Sequence, residues 1–184
     1  MQAPASKRPA FSLVALWGVV GFLVILGQAI HRLLGLALEP IVRGQLHSWQ
    51  WGLYGLSIAL LGYSEGYRAF QLKAAPRIVV RAMHLARHPR PLHVVLAPFF
   101  STGLFHATRR RLITSWSLYA GLILLILAVR QLDQPWRGIV DAGVVVGLTW
   151  GAVSIIIYYV RALAGHPPRV SPELPGEDAV GSSA

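Results

Sequence analysis

Four long apolar stretches constrain this chain more than any other feature of its sequence. They cover residues 11–34, 49–67, 112–129 and 139–160 of 184. A helix rises about 1.5 Å per residue, and the hydrocarbon core of a bilayer is roughly 30 Å thick, so each stretch can cross it. In lipid, the backbone N–H and C=O groups must form hydrogen bonds within the protein, and an α-helix meets this requirement. We therefore predict an all-α integral membrane protein built on a four-transmembrane-helix bundle.

Composition supports this class and excludes several kinds of chemistry. Hydrophobic residues make up 54% of the chain and charged residues only 13%, whereas soluble domains carry about 25% charge. The absence of cysteine excludes disulfides, thiolate metal sites and cysteine nucleophiles. Arginine outnumbers lysine fifteen to two, which indicates a GC-rich bacterial genome. We expect the bacterial inner membrane as the location and no nucleic acid as a partner.

The distribution of cations predicts the orientation. If residues 91–107 do not cross the membrane, thirteen Lys and Arg lie on the cytoplasmic side and four outside. If they do cross, the numbers become ten and seven. The positive-inside rule favours the first arrangement. We therefore predict a multi-pass protein with both termini cytoplasmic.

The segment 91–107 is apolar but short. Its seventeen residues would reach roughly 25 Å as one helix, and Pro98 removes a backbone donor from its middle. We predict that it is shallow or re-entrant on the cytoplasmic side. The predicted organisation is a cytoplasmic head at 1–10, one membrane domain at 11–161 and a disordered, Pro- and Gly-rich cytoplasmic tail at 162–184.

An additional amphipathic helix is predicted at 76–88, on the cytoplasmic side. At 100° per residue its cationic residues share one side and its apolar residues the other. Such helices lie in the membrane interface among anionic headgroups. A second cationic cluster follows at residues 109–111. We predict that anionic headgroups or phosphate bind to the arginines of this helix and of that cluster, which are Arg77, Arg81, Arg109, Arg110 and Arg111.

Histidines on the same side raise the question of metal binding. His84 and His88 have the i, i+4 spacing that can hold a metal, but Arg77 and Arg81 share their face and no carboxylate is near in sequence. They are therefore only weak metal candidates, and we expect no metal and no cofactor. His84, His88 and His106 are weak candidates for acid–base catalysis, since imidazole titrates near neutral pH.

Two carboxylates lie inside predicted spans. Glu65 lies near the cytoplasmic end of the second span, with Arg68 three residues later, and is the strongest functional candidate among the acids because intramembrane carboxylates are often functional. A local ion pair with Arg68 is the structural alternative. Asp141 lies in the first turn of the fourth span, where the helix dipole and Arg137 stabilise a negative charge.

Glycines on the fourth span predict close helix packing. Gly143, Gly147 and Gly151 recur every four residues, a spacing that lets helices approach closely in lipid. This face is expected to pack against another span, against a partner membrane helix or against a second copy of the chain.

No catalytic motif is identifiable, so the leading interpretation is a scaffold or assembly-type protein with a basic, headgroup-binding cytoplasmic face. Its expected partners are membrane lipids, anionic headgroups and other membrane helices. Two alternatives remain open. One is a small membrane enzyme acting on a lipid or lipid-phosphate through Glu65 and the histidines. The other is a proton-linked carrier that uses Glu65.

Overall fold

A computed structural model describes residues 12–89, 91–104 and 108–172 of the chain, and within these ranges the protein is all-helical with no β-strand. The predicted head at 1–10 and residues 173–184 of the predicted tail lie outside the described residues. The helices are α1 (Leu13–Val42), α2 (Ser48–Leu61), a π segment (Gly62–Ala74), α3 (Ala75–Arg87), α4 (Pro91–Val95), α5 (Ala97–Thr102), α6 (Arg109–Val129) and α7 (Trp136–Leu163).

Two of the described helices, α1 and α7, are long and apolar enough to cross a membrane. Their 30 and 28 residues correspond to roughly 45 and 42 Å of helix. Both therefore extend beyond the apolar stretches recognised in the sequence. In α1 the extension includes Glu39 and Pro40 in the last turn.

The helix that begins at Ser48 continues without a break to Arg87, but its middle is a π-helix. The π segment has 13 residues, whereas most π-helices are single-turn bulges inside α-helices, frequently at functional sites. The amide of Ala75 donates to the carbonyl of Phe70, five residues earlier, where the π segment ends. The sequence pattern predicted no such change of helix type.

The segment predicted to be shallow or re-entrant contains two short helices. α4 has five residues and α5 has six. Pro98 lies at the start of α5, a position that tolerates the missing proline N–H. Gly103 ends α5 with φ +80°, a left-handed conformation that favours glycine.

Two compact units make up the chain. Unit 1 comprises Met1–Phe22, Pro76–Ser115 and Ile155–Ala184, and unit 2 comprises Leu23–Ala75 and Trp116–Ser154. In unit 1, Leu85, Ala97 and Phe100 form a buried cluster covered by Val14 and Val94. In unit 2, a buried cluster joins α1, α2 and α7 through Ala37, Tyr54, Ile139, Ala142 and Val145.

The apolar side of α3 is buried within the protein. Val79 and Ala82 have no exposed surface, and Leu85 is 1% exposed. A Cβ placed on Gly18 of α1 would lie 3.4 Å from the Ala82 Cβ, so the two helices approach closely in unit 1. The apolar side of this helix, which was predicted to lie in the membrane interface, therefore contacts protein.

The glycine stripe of α7 packs against the helix formed by α2 and the π segment in unit 2. A Cβ on Gly143 would lie 2.6 Å from the carbonyl oxygen of Ser57, and one on Gly151 would lie 2.5 Å from Cγ of Phe70. Only glycine permits these approaches. The sequence left three possible partners for this glycine stripe: another span, a partner membrane helix or a second copy of the chain. In the structure, another helix of the same chain packs against it.

Candidate functional site

Charge is distributed unevenly between the two units. Unit 1 contains eleven Lys and Arg residues and three acids, whereas unit 2 contains six Lys and Arg residues and four acids. The three acids of unit 1 are all in residues 173–178, beyond the described part of the chain. The described residues of unit 1 therefore carry cations without a single carboxylate side chain.

Helix α3 presents a graded series of basic side chains. Arg77 and His84 are half-buried. Arg87, the last residue of the helix, and His88, which follows it, are exposed. The His84 and His88 rings stack, with centroids 4.8 Å apart and planes 29° apart. Within the described residues no group of three or more metal-ligating side chains occurs. The stacked pair therefore has no third ligand there.

Arg81, one of the residues predicted to bind phosphate, is buried and donates hydrogen bonds to the backbone of two other segments. Its side chain is 1% exposed. Its Nε donates to the carbonyl oxygen of Phe100 at 2.8 Å, and its Nη1 donates to the carbonyl oxygen of Pro172 at 2.6 Å. The guanidinium also lies over the Phe100 ring, 4.6 Å from its centroid, within the range of a cation–π interaction. Arg81 therefore joins α3, the end of α5 and the segment after α7.

Phe100 contacts two basic residues of unit 1, Arg81 and His93. Besides its contact with Arg81, its ring stacks with His93 of α4, with centroids 5.2 Å apart and planes 26° apart. Phe100 is itself 1% exposed. No local sequence pattern indicates that a phenylalanine at this position supports a buried arginine.

The remaining predicted basic residues lie at the start of α6. Arg109 is its first residue and is exposed. Arg110 and Arg111 follow in the helix, but their side chains lie outside the described part of the structure, and His106 lies outside it altogether. The structure therefore brings His84 and His88 together, and it does not test whether His106 joins them.

Glu65 lies on the π segment in unit 2 and is exposed. Its Cβ is 3.1 Å from the position that a Cβ on Gly147 would take. No ion pair joins Glu65 to Arg68 among the side chains that the structure describes. The π geometry accounts for this, because i→i+5 bonding widens the turn, and residues three apart no longer face each other as they do in an α-helix.

Asp141 is the second embedded acid and lies in the second turn of α7. It is 4% exposed, and its Oδ2 is 3.6 Å from the Nε of Arg137. The distance is that of an ion pair without a hydrogen bond, and neither atom has a hydrogen-bond partner among the described residues. The pairing anticipated from the i, i+4 spacing is present in this form.

The chemistry available in unit 1 is anion binding by arginine. Guanidinium groups bind phosphate and carboxylate through several donors at once, and the described residues of the unit contain no acid to neutralise them. The sequence matches no protein family, no curated protein and no solved structure.

Proposed function

We propose that the chain is a multi-pass protein of the bacterial inner membrane and acts as a scaffold that holds anionic phospholipid headgroups on unit 1. Its spans are α1, the helix formed by α2 and the π segment, α6 and α7, with both termini cytoplasmic. The observation that carries the proposal is the segregation of charge, eleven cations against three acids in unit 1.

Exposed apolar side chains support the membrane location of α6. Its residues 123–127 are all large and apolar, and their side chains are 47% to 67% exposed. Five consecutive residues cover the whole circumference of an α-helix at 100° per residue. Such a surface is unfavourable in water and ordinary in lipid. The 21 residues of α6 reach roughly 31 Å.

Electrostatics supports headgroup binding by a defined basic surface, which consists of Arg77, Arg87 and Arg109. Each Lys or Arg near an anionic leaflet contributes about 1 kcal/mol. The apolar side of α3 is already buried in protein, so the attraction comes from these side chains and not from insertion of the helix into the acyl chains. Arg81 holds α3 to two other segments of unit 1 through its hydrogen bonds.

The test is retention of anionic lipid by the purified full-length chain. The protein is extracted in detergent from membranes that contain phosphatidylglycerol and phosphatidylcholine, and bound lipid is measured by native mass spectrometry. Neutralising the basic surface (Arg77→Gln, Arg87→Gln and Arg109→Gln together) should reduce bound phosphatidylglycerol at least tenfold, since three contributions of about 1 kcal/mol are removed.

The matched control neutralises cations outside unit 1. Arg32→Gln with Arg130→Gln removes two exposed cations of unit 2 and should leave retention unchanged. Equal loss in the control would show that net charge alone matters. Equal retention by the wild type and the triple variant would overturn headgroup binding by this surface.

A second function is favoured by one observation, the position of Glu65 on the long π segment. π-helical geometry is frequent at functional sites, and this carboxylate has no ion-pair partner among the described side chains. A proton-linked carrier would use it to bind and release a proton. Proteoliposomes with a trapped pH-sensitive dye should then show proton flux that Glu65→Gln abolishes and Asp133→Asn preserves. Wild-type flux no higher than that of empty liposomes would exclude the carrier.

A further inference from the structure

A polar patch interrupts the apolar surface of α1 in unit 2. Gln28, His31 and Arg32 are all exposed, and at 100° per residue they lie within an arc of about 100° that also contains Gly35. Ala37, which is 2% exposed, lies on the opposite side of the helix. A Cβ placed on Gly35 would meet no heavy atom within 4 Å. The described part of the chain therefore leaves the polar side of α1 uncovered.

The contact between α1 and α7 sets the depth of this patch. A Cβ on Gly138 would lie 2.5 Å from Cγ of Pro40, so these two residues are level. Trp136, two residues earlier, has its ring centroid 5.6 Å from that of Trp49, and tryptophan is enriched at the membrane interface. Arg32 precedes Pro40 by eight residues, or roughly 12 Å of helix. In the membrane location proposed above, Arg32 therefore lies in the outer half of the hydrocarbon core, which is roughly 30 Å thick.

Glu65 lies at a similar depth on another helix of the same unit. Its Cβ is 3.1 Å from the position that a Cβ on Gly147 would take, and Gly147 follows Gly138 by nine residues, or roughly 13.5 Å. α7 runs opposite to α1 from their common level, because Leu33 and Val145 pack in one cluster. The depths of the carboxylate and the guanidinium therefore differ by about one residue's rise of 1.5 Å.

Arg32 and Glu65 have opposite charges and lack partners within their own copy. Both are exposed, and neither side chain forms an ion pair or a hydrogen bond among the described residues. Charged groups in lipid are costly and usually pair with one another. A twofold axis along the membrane normal keeps both groups at their depth, so Arg32 of each copy can meet Glu65 of the other.

We propose that a second copy of the chain covers the polar side of α1 and forms a twofold dimer in which Arg32 of each copy pairs with Glu65 of the other. Charge complementarity selects this occupant, since each copy supplies both members of the pair. Gly35 permits close approach of the second copy, and Gln28 and His31 add hydrogen-bonding groups. The inference rests on the membrane location proposed above but not on headgroup binding.

The test is a cross-link between two full-length chains with one cysteine each, since the chain has none of its own. Arg32→Cys and Glu65→Cys proteins are reconstituted together in phosphatidylcholine liposomes and oxidised with copper phenanthroline. In the mixed dimer one contact brings the two cysteines together, and the other keeps its ion pair. The mixture should therefore give a covalent dimer, and neither protein alone should do so.

The matched control replaces the acid of the pair by another acid of unit 2. Asp133 is exposed and lies between α6 and α7, outside the proposed contact. Arg32→Cys mixed with Asp133→Cys should not cross-link. If the Arg32→Cys and Glu65→Cys mixture cross-links no more than this control, the dimer is overturned, and lipid or a helix of another protein covers α1.

Charge reversal supplies a second readout that misfolding cannot imitate. The Arg32→Glu chain carries acids at both positions, and the Glu65→Arg chain carries arginines at both, so each should lose about tenfold or more in dimer affinity. Mixing the two reversed chains should restore the dimer, because both contacts then join opposite charges. Energy transfer between copies labelled at Gln45→Cys measures association. Equal energy transfer in the wild type and in each reversed chain alone would overturn the ion pairs.

Failure of the dimer is distinguishable from failure of headgroup binding. The triple variant of the basic surface should lose phosphatidylglycerol and keep the dimer, whereas Arg32→Gln with Arg130→Gln should keep the lipid and lose the dimer. A wild-type chain that retains lipid but does not associate overturns only the dimer. One that associates but retains no lipid overturns only headgroup binding.

Discussion

Gln134 supplies α1 with the hydrogen bond that Pro40 cannot make. In an α-helix the amide of residue 40 would donate to the carbonyl of Leu36, but proline has no N–H. The Nε2 of Gln134 donates to that carbonyl at 3.2 Å and also to Oε2 of Glu39 at 3.0 Å. Its Oε1 accepts from the amide of Gly138 at 3.1 Å. One side chain thus satisfies groups on two helices of unit 2.

Gln134→Met, which keeps the side-chain length but removes the amide, should destabilise the protein by about 1–3 kcal/mol, because it leaves part-buried backbone groups without partners. The free energy of unfolding can be measured by denaturant titration in detergent micelles. The specific prediction concerns coupling. Pro40→Ala restores the amide of residue 40, so in that background Gln134→Met should cost about 1 kcal/mol less. Strictly additive effects would contradict the role assigned to this pair.

Arg81→Met should destabilise unit 1 by about 3 kcal/mol, because it removes two hydrogen bonds from a charged donor and leaves the carbonyls of Phe100 and Pro172 without them. Arg81→Lys should recover only part of this loss, since lysine lacks the planar fork that donates in two directions.

The matched control for Arg81 is Arg87→Met on the same helix. Arg87 is exposed, and its loss should change the free energy of unfolding by less than about 0.5 kcal/mol. Thermal unfolding in detergent micelles compares all three variants. Equal stability of the Arg81→Met and Arg87→Met proteins would show that Arg81 is not a structural link.

The helical class of the protein could be predicted from sequence because its signal is local. Long apolar runs specify helices whatever they pack against, and α1 and α7 are both found where such runs occur. The end of α1 could not be predicted, since its extension past Pro40 depends on Gln134, 98 residues from Leu36 in sequence. A prediction from local sequence ends a helix near such a proline.

The periodicity of α3 predicted its buried apolar side. The burial of Arg81 could not be predicted in this way, because its hydrogen-bond partners come from other segments of the chain. The π segment also depends on distant packing. Nine residues separate Leu61 from Phe70, about 2.5 turns of α-helix, which would place them on opposite sides. Both contact the glycine stripe of α7, and the wider π turn makes this possible.

Gly143→Ala should destabilise unit 2 by about 1–3 kcal/mol, because its Cβ would meet the carbonyl oxygen of Ser57 at 2.6 Å and backbone moves less readily than a side chain. Gly147→Ala should cost less, since its nearest neighbour is the Cβ of Glu65 at 3.1 Å. Thermal unfolding in detergent measures the stability of both variants and shows which loses more.

Gly121→Ala in α6 is the control for the glycine series. A Cβ at Gly121 meets no heavy atom within 4 Å, and alanine is the better helix former. This variant should be as stable as the wild type or slightly more so. If all three alanine variants lost the same stability, close packing at the α7 glycines would not be the cause.

Cysteine labelling tests the proposed orientation without interference, because the chain has no cysteine of its own. Gln45→Cys and Arg109→Cys each introduce one thiol at an exposed position. In intact spheroplasts a membrane-impermeant maleimide should modify the cysteine at position 45 and leave that at 109 unmodified. Lysis should make both reactive. Modification at 109 before lysis would mean that residues 91–107 cross the membrane. Ten cations would then lie inside and seven outside, Arg77 and Arg109 would face opposite leaflets, and a common headgroup surface would be impossible.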